Sequence, residues 1–380
     1  MKNIPSSRIR KIRTWTIGSK NFELRPNGLS KEISGHIDLA SNDYLGLSRH
    51  PSVIEAAQKS IVNEGMGAGA SRLVTGSRPI HEELETELAS WLGVESVLLF
   101  PSGFQANIAA VIALADRQTP VITDKFIHHS LLIGIKASGA KLYRFKHNNL
   151  LDLESKLQTI NGSFLGVRPV VITESLFSME GTSPELNKLT NLCKKYNSRL
   201  LVDEAHALGV MGKEGKGLCY QLQEEVDLIS GTFGKAFGSG GAFLASSKKL
   251  RETLIQTSGA FRYTTALAPP LAAAALASLH LIKENPKWGE EVVKNASLWR
   301  NKIEESGWEK PPGGGQILSL LIGKDEAALN YQNHFEKEGL LSIAIRPPTV
   351  PENTSRLRIV LRKDLPNSTL NKVLNTLKNK

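Results

Sequence analysis

Three short stretches of this 380-residue chain combine ionisable side chains with glycine in ways that suit chemistry on a bound carbonyl compound. The first, Leu200-Leu-Val-Asp203, passes within four residues from apolar to ionisable, through Asp203, Glu204, Ala205 and His206. Taken singly, Asp203 reads as a helix cap and His206 as a hydrogen-bonded structural group. The second, Thr232-Phe-Gly-Lys235-Ala-Phe-Gly-Ser-Gly-Gly241, encloses a lysine among small and aromatic residues. Desolvation and nearby charge favour the neutral amine, the form that attacks a carbonyl carbon, although a glycine-rich surface loop would carry a lysine equally well. The third, Leu98-Leu-Phe-Pro-Ser102-Gly103-Phe104-Gln105-Ala-Asn107, reads as strand, tight turn and helix start. Free N–H groups and the positive end of a helix bind phosphate without any lysine, and a Ser-Gly turn is also ordinary capping.

Together the three supply what pyridoxal phosphate requires: an amine for its aldehyde, a carboxylate to keep the pyridine nitrogen protonated, and an anion cradle. Such groups need a scaffold that brings strand ends together. Apolar runs bounded by turn residues recur at 97–100, 121–123, 142–145, 170–173, 200–203, 228–232 and 242–245, and read as buried strands. Helical spacing lies between most of them, at 81–92, 105–115, 130–138 and 186–196. This alternation predicts an α/β domain with a mainly parallel seven-stranded sheet over residues 45–265, whose ligands bind at the carboxyl ends of the strands. Residues 266–380 form a smaller α+β domain in this reading, with helices at 271–282 and 288–305, a strand at 317–322 and a half-exposed strand at 356–362, where arginine alternates with apolar residues. Residues 1–44 join that smaller domain.

Other chemistries are disfavoured. Gly65-Met-Gly-Ala-Gly69 lacks a preceding strand and the glycine spacing of a dinucleotide fingerprint, and the Gly-Lys pairs lack the earlier glycine of a phosphate loop. Adjacent His128 and His129 point apart on a helix or a strand, so no metal is expected. The balance of 47 basic against 37 acidic residues gives a net charge of +10, spread thinly and without interleaved aromatics, so no nucleic-acid partner is expected. The apolar stretch 266–282 is broken by Pro269, Pro270 and His280 and reads as a buried helix, not as a membrane span. Two cysteines, Cys193 and Cys219, and an N-terminus without an apolar block point to a reducing cytoplasm.

With these motifs in place, the chain resembles the α-oxoamine synthases, fold-type I pyridoxal-phosphate transferases that condense an amino acid with an acyl thioester and release carbon dioxide. The resemblance runs from Ser41-Asn-Asp-Tyr-Leu-Gly-Leu47 to Leu361. It implies Lys235 as the Schiff-base lysine, Asp203 as partner of the pyridine nitrogen, His128 stacked on the ring, and His206 with Ser178 near the phenolic oxygen. Those roles make Lys235, His128, Asp203 and His206 the catalytic set. Ser102, Gly103, Phe104 and Thr232 would hold cofactor and phosphate, with Thr264 and Thr265 reaching in from the second subunit of a homodimer. Arg358 would bind the amino-acid carboxylate, with Asn42 close by. Arg346 is a further substrate-binding candidate and equally an anchor for the Pro-Pro loop. Ala344-Ile-Arg346-Pro-Pro-Thr-Val-Pro351 followed by Ser355-Arg-Leu-Arg358 resembles the members that join L-alanine to a pimeloyl thioester of coenzyme A or acyl carrier protein. Sister synthases using glycine or serine, an aminotransferase, and a cofactor-binding protein without turnover are the rival readings. Ala207 departs from the serine or glycine usual in the family after this histidine.

Overall fold

The computed structural model describes residues 5–27, 35–164 and 166–378. By packing, the chain divides into two compact units, one of residues 47–177 and 183–287 and one of residues 1–46, 178–182 and 288–380.

The larger unit is built on a seven-stranded sheet. In chain order its strands are β1 (Ser96–Phe100), β2 (Pro120–Asp124), β3 (Lys141–Phe145), β4 (Val170–Glu174), β5 (Arg199–Asp203), β6 (Leu228–Thr232) and β7 (Ala242–Ser246). They lie side by side in the order β1-β7-β6-β5-β4-β2-β3. The pairs among β2 to β6 are parallel, and β7 runs antiparallel to both of its neighbours. Strands covered by helices on both faces must be apolar on both, so they read as continuous hydrophobic runs and not as alternation. All five residues of β1, β2, β4 and β7 are buried.

The helix Gly103–Leu114 is apolar on nearly every side, as a helix enclosed by sheet and neighbouring helices must be. It packs on the helix His129–Ser138 at a point where Gly134 leaves no room for a larger residue, since a Cβ there would come within 2.9 Å of Val111 Cβ. Pro269 and Pro270 do not interrupt a helix. They occupy the first turn of Pro269–Glu284, where a missing N–H costs nothing. That helix packs on Pro51–Glu64 inside the larger unit, whereas the sequence reading placed the smaller domain from residue 266.

In the smaller unit the helices Trp288–Glu305, Asp325–Lys337 and Thr369–Lys378 accompany an antiparallel sheet with Ser355–Val360 between Ile317–Gly323 and Ile343–Ile345. Strands 15–17, 23–26 and 36–38 continue to 340–341 through a parallel pairing, which ties the N-terminal residues to the C-terminal ones. The strand expected to be half-exposed is buried at every position. Its arginines have hydrogen-bond partners within the unit: Arg356 donates to Glu180, and Arg358 to the Ser178 carbonyl and Asn42.

Candidate active site

The carboxyl ends of β1, β2, β4, β5 and β6 converge on a cavity of about 220 Å³ in the larger unit. β5 delivers Asp203, and the chain turns at once through Ala205 to His206; both residues line the cavity. Thr232 closes β6, and its Oγ1 donates to the Gly241 carbonyl at 3.0 Å and accepts from the Gly234 N–H at 3.2 Å. This hydroxyl pins both ends of the glycine-rich loop that carries Lys235 into the cavity wall. After β1, Ser102 caps the helix Gly103–Leu114 by accepting from the Gln105 N–H at 3.3 Å, and Gly103 and Phe104 of its first turn line the cavity. After β2, His128 caps the next helix and presents its ring to the same space.

A hydrogen-bonded network underlies these groups. Asp203 Oδ1 accepts from the Ala205 N–H at 2.9 Å, and Asp203 Oδ2 accepts from Asn107 Nδ2 at 2.7 Å. His128 Nδ1 lies 2.7 Å from Ser130 Oγ, and Phe104 meets the imidazole edge-to-face with centroids 6.5 Å apart. Burial lowers the pKa of His128 below the ordinary histidine value; Asp203 opposes that shift, and Lys235 and His129 reinforce it. Glu204, one residue beyond Asp203, faces away from this network and accepts from the Leu218 and Cys219 N–H groups at 3.0 and 2.7 Å. Its complete burial pushes its pKa up to about 6.

Pyridoxal phosphate fits this donor set. A Cβ at residue 103 would stand 3.7 Å from both Cβ and Oγ1 of Thr232, filling a gap that the glycine leaves beside a helix N-terminus. Anions bind at such a terminus. Lys235, Asp203 and the His128 ring border the same cavity and match an aldehyde, a pyridinium nitrogen and an aromatic face.

In the smaller unit, Arg358 Nε donates to the Ser178 carbonyl at 2.7 Å and its Nη2 to Asn42 Oδ1 at 2.9 Å. The Tyr44 phenol, whose pKa burial raises to about 12, is its other partner. All three partners are neutral, and among the described residues no carboxylate lies within ion-pairing distance of this buried guanidinium. Its burial lowers its pKa.

The structure therefore brings Lys235, His128, Asp203, His206, Gly103, Phe104 and Thr232 to one cavity. Ser102 supports it as a helix cap. Asn42, Ser178 and Arg358 form a second cluster, in the smaller unit. Arg346 stands apart from that cluster: its guanidinium donates to the Ser7 carbonyl, and its own carbonyl accepts from Arg10 at 3.1 Å. Thr264 and Thr265 lie outside the lining of this chain's own cavity. Asn107, Glu174 and Ser230 also line it and carried no role in the sequence reading. Nothing in the sequence singles out Asn107, which shares its helix with a second amide, Gln105.

Comparison with known proteins gives a consistent result. The family model described as aminotransferase class I and II matches residues 34–377. The chain is 40% identical over 368 residues to a relative from Saccharophagus degradans named 8-amino-7-oxononanoate synthase, covering 94% of this chain and 91% of the relative. It is similar in structure to a serine palmitoyltransferase from S. paucimobilis with a bound adduct of PLP and myriocin, with a TM-score of 0.91, 25% identity and coverage of 97% and 92% of the two chains. The 8-amino-7-oxononanoate synthase of Francisella tularensis superposes with a TM-score of 0.78 at 27% identity, covering 90% of this chain and 97% of the other.

Proposed function

The chain belongs to the class I and II aminotransferase family and, within it, to the α-oxoamine synthases, and from that membership we propose that it joins L-alanine to a pimeloyl thioester, releasing carbon dioxide and the thiol and yielding 8-amino-7-oxononanoate. The observation that carries this reading is the meeting of Lys235, Asp203 and His128 around one cavity at the strand ends. Pyridoxal phosphate, when bound, supplies an aldehyde carbon for the amine and a ring that takes up the electron pair left at alanine Cα.

The protein's own groups do the rest. The Lys235 amine would hold the cofactor aldehyde and would act as the base that takes the proton from alanine Cα. Asp203, fixed by Asn107 and the Ala205 N–H, keeps the ring nitrogen protonated. Gly103, Phe104 and Thr232 hold the phosphate, His128 covers the ring face, and His206 with Ser178 attends the phenolic oxygen. Arg358, a buried cation with neutral partners only, takes the alanine carboxylate, with Asn42 orienting the guanidinium. The net charge of +10 suits the phosphates of coenzyme A or an acidic carrier protein. We place the enzyme in the cytoplasm, where its free, buried Cys193 and Cys219 stay reduced, and as a homodimer in which Thr264 and Thr265 serve the partner's site.

The test is a thiol-release assay that crosses alanine, glycine and serine with short, dicarboxylic and long acyl thioesters. Alanine with the pimeloyl thioester should give the highest kcat/KM. A methyl pocket discriminates by only about 1 to 3 kcal/mol, so glycine should react measurably. A preference for serine with a long chain, or for glycine with a short one, would reassign the chain to a sister activity.

A further inference from the structure

Asn107 is buried on the first turns of the helix Gly103–Leu114, and every polar atom of its side chain is engaged. Its Nδ2 donates to Asp203 Oδ2 at 2.7 Å and to Ser130 Oγ at 2.9 Å, while its Oδ1 accepts from Ser230 Oγ at 2.6 Å. Chemistry fixes this orientation, because an ionised carboxylate only accepts, so the amide nitrogen has to face Asp203 and the oxygen Ser230. Having accepted from Asn107, Ser130 Oγ has its own proton to give, and His128 Nδ1 stands 2.7 Å away. The Ser130 backbone N–H approaches the same ring nitrogen at 3.4 Å. Two donors aimed at Nδ1 make it an acceptor, and the ring proton then sits on Nε2.

We infer that Asn107 is a positioning residue that couples the two groups bordering the cofactor ring: directly it fixes the plane of the Asp203 carboxylate, and through Ser130 it holds His128 as a neutral imidazole protonated on Nε2. The groups facing His128 are Asp203, which favours the imidazolium, and Lys235 and His129, which oppose it; burial opposes it further. Phe104 packs edge-to-face against the ring and adds no charge. A second cation beside Asp203 would compete with a protonated pyridine nitrogen for that carboxylate, so a neutral His128 suits the site. This consequence, though not the network itself, rests on the function proposed above.

The experiment uses the full-length, histidine-labelled protein, first free of cofactor and then with added pyridoxal phosphate, with nitrogen NMR of His128 as the readout. Wild type should show the Nε2–H tautomer and stay neutral where an exposed histidine titrates. Ser130→Ala removes one hydroxyl and leaves the Asn107 to Asp203 bond in place. It should lose the tautomer preference and raise the His128 midpoint by about one pH unit, with little change in cofactor affinity. Asn107→Leu should produce the same histidine change and also weaken pyridoxal phosphate binding about tenfold. An unchanged His128 tautomer and midpoint in both variants overturns the inference. Should Asn107→Leu fail to fold, Ser130→Ala decides alone by the same criterion. Wild-type protein that binds no pyridoxal phosphate yet shows the tautomer would overturn the proposed function and leave the network standing.

Discussion

The two units treat charge in opposite ways. In the larger unit the buried carboxylate of Glu85 meets two guanidiniums, Arg72 at 2.8 Å and Arg251 at 3.2 Å, and its charge is balanced from within. In the smaller unit a strand buries two arginines two positions apart, and among the described residues only one meets a carboxylate. Arg356 reaches Glu180 Oε1 at 3.1 Å, whereas Arg358 has a carbonyl, an amide oxygen and a phenol. A buried cation without a counter-ion is costly in the free protein. The difference marks Arg356 as a structural pair and supports the proposal that Arg358 takes the substrate carboxylate, although sequence alternation makes the two look alike.

The harshest way to break this comparison is to remove the amine of the larger unit. Lys235→Ala should reduce thiol release by about 10³-fold or more, and borohydride reduction followed by peptide mapping should no longer attach the cofactor to the peptide around residue 235. Substantial turnover in that variant would remove Lys235 from its assigned role. Next come the paired arginines. Arg358→Ala should raise the alanine KM about 100-fold with cofactor content unchanged, since charge-assisted bonds to a carboxylate are lost. Arg356→Ala should lower the unfolding free energy by about 3 kcal/mol, read by urea denaturation, and leave the alanine KM nearly unaltered. If the two variants exchanged phenotypes, the distinction between pair and site would be void.

The same contrast explains what the sequence revealed. All seven strands of the larger sheet were legible, with ends within about a residue, because burial on both faces leaves an uninterrupted apolar run. The half-exposed strand expected at 356–362 misled for the opposite reason: alternating arginine mimics a solvated face, yet every residue of Ser355–Val360 is buried. Lys235, Asp203 and His206 stood out by composition because each interrupts an apolar or glycine-rich setting. Asn107 did not, since its partners at 130, 203 and 230 meet it only through the fold and no spacing announces them. The five residues 178–182, which belong to the smaller unit though both flanks belong to the larger, are likewise invisible to periodicity.

Adjacent acids in the larger unit sharpen the comparison at a smaller scale. Glu204 is sealed, and its pKa moves from 4.5 up to about 6. A carboxyl that binds its proton more tightly when folded contributes stability that is fully present below pH 4.5 and is lost as pH rises through 6. Relative to Glu204→Gln, which does not titrate, wild type should therefore lose about 2 kcal/mol between those limits and nothing further above them. Urea denaturation at a series of pH values reads the change directly, and a wild type that gains stability relative to the variant as pH rises would reverse the assignment of burial as the cause.

The smallest effect belongs to Ser102, which separates support of the site from contact with its ligand. Its hydroxyl accepts from the Gln105 N–H and so satisfies one of the free donors at the start of the helix. Gly103 and Phe104 line the cavity, and under the function proposed above their N–H groups would meet the phosphate whether or not residue 102 has a hydroxyl. Ser102→Ala should then cost about 1 kcal/mol of stability, the usual loss on deleting a helix cap. Pyridoxal phosphate affinity of the cofactor-free protein, measured by fluorescence titration, should change by less than about threefold, because a cap that leaves the phosphate donors in place acts on the helix and not on the ligand. A tenfold loss of affinity without loss of stability would make Ser102 a ligand of the phosphate, and the division between balanced scaffold and open site would have to be drawn one residue earlier.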